Sequence, residues 1–166
     1  MPEFVRYPDP VLEQIAGFCP VDANLLAIGR DLLAAQMDAR SYGLAAAHIG
    51  ICAPVIIINL ASEAAARNDV LLFNPSIAAV SETTGLGNEG SVSMPGIEVR
   101  IARPVWVILD YQDADGRDQQ KRLEGFAARC ALHETDQVNG VFFLKRLSRL
   151  KREAAIKRFR KSQSAG

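Results

Sequence analysis

The chain reads as an α+β domain in which antiparallel sheet packs around a central helix carrying His133 and Glu134, with one more helix at the C-terminus. Three observations predict this. Helical periodicity stands before and after a block of short β-branched runs, Pro, Gly, Asn and Asp separate those runs, and their turn signals place the strands in hairpin-like succession. A length of 166 residues supports one core, so residues 1–166 form a single domain, with 148–166 as a basic C-terminal helix and tail.

"DPVLEQIA" is a short helix opened by Asp9, with Pro10 at its first position. "DANLLAIGRDLLAAQMDARSYG" places Leu25, Leu26, Leu32, Leu33 and Met37 near helical spacing, with Gly43 just past the end, and predicts a long amphipathic helix. Between Pro54 and about Glu124 the runs "VIIIN", "VLLFNP", "IEVRIARP" and "VWVILDYQ" are strands. "DADG" is a hairpin turn, and "QQKRL" returns from it. Helical pattern resumes at Gly125, where Phe126, Cys130, His133 and Gln137 share one face. Ser148 caps the final helix, "RLKREAAIKRFRKS". There is no internal repeat and no low-complexity linker.

Composition narrows the classes. Hydrophobic residues at 49% and charged residues at 23% are ordinary for a globular domain and argue against disorder. The apolar runs fall far short of the roughly 18 residues of a membrane span. "MPEFVRYPDP" lacks the basic-then-apolar pattern of a secretory signal, and Cys19, Cys52 and Cys130 are an odd set at irregular spacing, so free thiols in the cytoplasm are expected. Net charge is zero, yet nine Lys or Arg and only Glu153 among acids lie between Lys145 and Lys161. Such a run is either a solvated helix face or a contact for RNA or another polyanion.

"ALHETDQVNG" begins like His-Glu-x-x-His, in which two imidazoles one turn apart hold a metal and the Glu works on a water, but position 137 is Gln. Together with "GLAAAHIG" (Gly43 to Gly50) and "EGSVSMPG" (Glu89 to Gly96), in that order and separation, "LHETDQVNG" resembles the third of the signature motifs of the peptide deformylases. The resemblance covers nearly the whole chain, from "YPDPVL" through "FNP" to the last helix. It implies that family's fold and its activity, removal of the formyl group from the initiator methionine of nascent proteins. Members hold iron, zinc or nickel through one Cys and two His, use the helix Glu on the metal-bound water, and stabilise the carbonyl oxygen with a Gln and a backbone N–H.

By position the resemblance assigns Ser91 to the Cys, His133 and Gln137 to the two His, Glu134 to the Glu and His48 to the Gln. Gly43, Gly90 and Val92 become substrate contacts, and Glu134 and His48 the catalytic pair. A catalytic site of this type needs three protein ligands plus water. If about 10–16 kcal/mol is shared among four ligands, each contributes roughly 3–4 kcal/mol, so replacing a thiolate by a hydroxyl and an imidazole by a carboxamide weakens affinity by about 10⁴ to 10⁶. Without the ion, the pKa of the attacking water returns from about 7 toward about 15.7, beyond the reach of Glu134 alone. Loss of tight metal binding, and of metal-dependent hydrolysis, is the expectation.

Alternatives stay open on the residues themselves. His48 donates a hydrogen bond, or joins His133 in a rebuilt Fe²⁺ or Zn²⁺ site completed by Glu134 or Cys130. The latter would leave an active hydrolase. Cys130 reads as a small buried hydrophobe, and Phe126 and Leu132 as core. Ser91, His48 and Glu134 have the residue types of a nucleophilic triad. Glu89 is expected to anchor its loop through backbone N–H groups, with Arg100 or Arg103 as partner. The expected partners are an N-terminal peptide of a nascent chain and, by family analogy, the ribosome through the basic helix, with no membrane.

Overall fold

The computed structural model describes residues 3–61 and 67–165; Gly166, the last residue of the basic tail, falls outside them. The strands are β1 (Gly43–Ala45), β2 (Val55–Asn59), β3 (Asp69–Val80), β4 (Thr84–Gly90), β5 (Glu98–Pro104), β6 (Trp106–Gln112) and β7 (Asp118–Glu124). The helices are α1 (Ala23–Ala39), α2 (Gly125–Val138) and α3 (Arg149–Ala165). One sheet runs β1-β2-β3-β6-β7 and a separate hairpin pairs β4 with β5, every pairing antiparallel.

β2 shows how the sheet organises the domain. Val55 and Ile57 pack with Leu25, Leu32 and Phe73 on the α1 side, while Ile56 and Ile58 pack with Ala128, Ala131 and Leu132 of α2. Successive side chains of a strand point to opposite faces, so a strand covered on both is apolar throughout, as "VIIIN" is. A third cluster joins Ala155 and Phe159 of α3 to Met94, Ile101 and Phe142. That stripe, one turn apart, fixes α3 to the domain and leaves Lys151, Lys157, Arg158, Arg160 and Lys161 exposed.

The N-terminal helix is a single 3-10 turn, Pro10–Glu13, with the Asp9 carboxylate accepting the Val11 N–H at 2.9 Å. Asp22 caps α1 by accepting from Leu25 N–H at 2.9 Å. Two expectations for α1 are corrected. Gly43 does not stop the helix: Arg40, in the left-handed region at φ 51°, does so, and its N–H returns to the Gln36 carbonyl. Met37 is 63% exposed, because the sheet covers only the opposite side of the helix. Ser148 accepts the Lys151 N–H at 3.3 Å and opens α3 as predicted.

β4, "TGLGNEG", has almost no strand propensity and is held by its seven-residue register with β5. Gly87 within it answers a side chain from α2. A Cβ there would lie 2.7 Å from the Cζ and Nε of Arg129, so only glycine leaves room for the guanidinium.

Candidate active site

Three elements converge on a cavity of about 490 Å³. Gly43 and His48 come from β1 and the 3-10 turn after it, Glu89, Gly90, Ser91 and Val92 from the end of β4 and its loop, and Cys130, His133 and Glu134 from α2. A second cleft of about 460 Å³, walled by Phe18 and by Asn74, Asp110 and Gln120 of the far strands, contains no imidazole. Chemistry, not size, singles out the first.

Every residue named from the sequence as a site residue lines this cavity except Gln137. Its Nε2 donates to the Leu12 carbonyl at 2.6 Å, so it ties α2 to the N-terminal turn. Gly43 is required by Glu134, because a Cβ at position 43 would stand 2.9 Å from Glu134 Oε2. The close strand is what buries that carboxylate.

His48 is fully buried, and its Nδ1 accepts the Ala45 N–H at 2.9 Å. In a neutral imidazole the other nitrogen then carries the proton, so Nε2–H is the donor. Burial, followed by the nearby charge of His133, pushes the His48 pKa down to about 3. Protonating Nδ1 would also set N–H against N–H. Nε2 of His48 and Oε1 of Glu134 are both buried with no partner among the described residues.

His133 is oriented by the carboxylate of Glu89, with Nδ1 2.8 Å from Oε1, which leaves Nε2 as its other ring nitrogen. Burial would lower the His133 pKa, but the charges and hydrogen bond of Glu134 and Glu89 outweigh it and raise it. Burial pushes Glu134 up to about 7 against the opposing pull of His133. Cys130 goes to about 12, through burial and then the charges of Glu134 and Glu89; it is an inert thiol in the wall.

Among the described residues, side chains rather than backbone amides hold Glu89. Arg103 donates to both its oxygens at 2.8 Å, Arg129 Nη1 to Oε2 at 2.8 Å, and His133 fills the remaining position. Burial favours the neutral acid, yet these donors bring its pKa to about 2. Arg103 also reaches Asp136 at 2.6 Å, which Arg146 grips from outside at 2.7 Å. The choice between Arg100 and Arg103 thus falls to Arg103; Arg100 is exposed.

Further differences concern the rim. Phe126 is 55% exposed rather than core, standing edge-to-face with exposed Tyr42 at 5.0 Å across the cavity mouth. Leu132 is buried as expected. The Ser91 hydroxyl accepts the Ser93 N–H at 3.1 Å, and no bond joins it to an imidazole among the described residues. Arg129 went unnoticed in the sequence because no motif marks it. The available signal was a charged residue one turn before His133 on the same helix face.

The sequence matches the profile of the polypeptide deformylase family over residues 1–153. The chain belongs to that family. A relative named "Peptide deformylase-like" in Rhizobium meliloti (strain 1021) is 40% identical over 165 residues, 97% of this chain and 92% of the relative. A "Peptide deformylase" of Agrobacterium fabrum (strain C58) is 37% identical, covering 95% of this chain and 94% of its own length. The crystal structure of peptide deformylase from Ehrlichia chaffeensis superposes with a TM-score of 0.90 at 28% identity, over 98% of this chain and 97% of that one. The same enzyme in complex with actinonin gives 0.88 at 29% identity, over 96% of each chain. The deformylase fold, with antiparallel sheets around the His-Glu helix and a C-terminal helix, is therefore the fold of this chain. No helix among the described residues is long and apolar enough to cross a membrane.

Proposed function

We propose that this deformylase-family chain binds the N-terminal end of a formylated peptide in the cavity and has lost most or all metal-dependent hydrolysis. The tautomer of His48 carries this reading. His48, His133 and Glu134 bring possible ligand atoms within 4.8 Å of one another, which is close enough for a cation. Closeness is not coordination. The His48 Nδ1 lone pair is taken by Ala45 N–H, so its Nε2 carries the proton and has no lone pair to offer an ion. Gln137 is turned to Leu12, and Ser91 offers only a neutral hydroxyl. His133 Nε2 and the Glu134 carboxylate are the strong donors left, one short of the usual three. The donor set does not fit the family's ion.

The same atoms fit an amide. A buried unpartnered donor and a buried unpartnered acceptor each cost about 1–3 kcal/mol, and a ligand amide satisfies both. Its carbonyl accepts from His48 Nε2–H, and its N–H donates to Glu134 Oε1. Calorimetric titration with formyl-Met-Ala-Ser and its unformylated form tests this reading. Binding of the formylated peptide at least about tenfold more tightly, lost in His48→Ala, is expected from two charge-assisted or buried bonds. Equal affinity for both peptides would contradict it.

The 4.8 Å grouping favours a second reading, an active hydrolase with a rebuilt site on His48 and His133. It requires His48 to release the Ala45 amide. In either case the exposed basic side of α3 is proposed as the contact with the ribosome. Co-sedimentation with and without residues 148–166 across a salt series tests that contact, whose affinity must fall steeply with salt.

A further inference from the structure

We propose that Arg129, seated over Gly87, holds a fixed positive charge on the wall of this cavity and thereby opposes binding of a divalent cation there. This rests on the reading that the natural chain lacks a tightly held ion. Arg129 lies on the cavity wall, its side chain 13% exposed. Nη1 donates to Glu89 Oε2 and to the Ile101 carbonyl, both at 2.8 Å, and Nη2 to the Gly85 carbonyl at 2.9 Å. These bonds and the missing Cβ of Gly87 fix the guanidinium in one place.

Alternating charges run Arg129, Glu89, Arg103, Asp136, Arg146 from the cavity wall to the surface. Three guanidinium groups face two carboxylates, and removing Arg129 makes that row of charges neutral. Arg103 and His133 already give Glu89 donors on both oxygens, so Arg129 is not needed to satisfy it. What Arg129 adds is one fixed positive charge two hydrogen bonds from His133. At a separation of about one Debye length, ~10 Å, and an effective dielectric of about 20, a guanidinium weakens binding of a dication by on the order of 10²-fold, and about tenfold after solvent screening.

The test restores the family's ligands and then varies only position 129. In a His48→Gln, Ser91→Cys, Gln137→His background, zinc affinity is measured by chelator competition with Arg129 intact, with Arg129→Lys and with Arg129→Gln, which keeps N–H donors without charge. Arg129→Met serves if the Gln variant does not fold. Zinc should bind at least about tenfold more tightly to the neutral variants than to either charged one. Equal affinity across all of them would overturn the proposal. The metal content of the natural chain is a separate measurement, so this result and the reading of the cavity can fail independently.

Discussion

Glu134→Gln changes one buried atom and should stabilise the protein. Burial raises the Glu134 carboxyl from 4.5 to about 7, so at alkaline pH the folded chain carries an ionised group that the unfolded chain solvates more favourably. For an acid raised on folding, the folded state binds more protons between those two values; the destabilisation is complete above about pH 7 and vanishes below about 4.5. Its size is about 2–4 kcal/mol. Gln keeps the shape and has no charge to bury. Unfolding by urea or heat at pH 8.5 should show the variant more stable by that amount, a rise of about 4–16 °C in Tm for a domain of this size. At pH 5 the gain should shrink below about 1 kcal/mol. A variant less stable at pH 8.5, or a gain equal at both pH values, would refute the reasoning. The first outcome would mean that a cation compensates the carboxylate in the natural protein.

Two further substitutions test the surroundings. Gln137→Leu leaves the Leu12 carbonyl unpaired and should cost about 1–3 kcal/mol in urea unfolding; an unchanged midpoint would remove Gln137 from its structural role. Gly43→Ala puts a methyl group 2.9 Å from Glu134 Oε2 and should cost about 1–3 kcal/mol. Most of that should return in the double variant with Glu134→Ala, and strict additivity would show that the two residues do not meet.

Much of this architecture could be read along the chain. The strands "VIIIN" and "VWVILDYQ", the "DADG" turn and the helix at Gly125 follow from local pattern, because burial and turn chemistry act on neighbours. β4 escaped because its glycines serve tertiary needs: Gly87 yields to Arg129, a residue far away in sequence. Gly43 looked like a helix stop for a similar reason, its smallness being required by Glu134. At the site, residue types and their convergence were legible, but directions were not. Gln137 lies on the expected helix face yet reaches for Leu12, and the role of His48 depends on one amide hydrogen from Ala45. Phe126 fits a core pattern, but the helix reaches the cavity mouth before the sheet can cover that ring.

The chemistry of the cavity turns on whether it keeps a transition metal. Metal analysis of the natural chain purified without chelator, alongside turnover of formyl-Met peptides, decides it most directly. Iron, zinc and nickel together well below one ion per chain, with negligible deformylation, is the predicted result. Near-stoichiometric metal that disappears in His133→Ala, together with rapid release of formate, would contradict it.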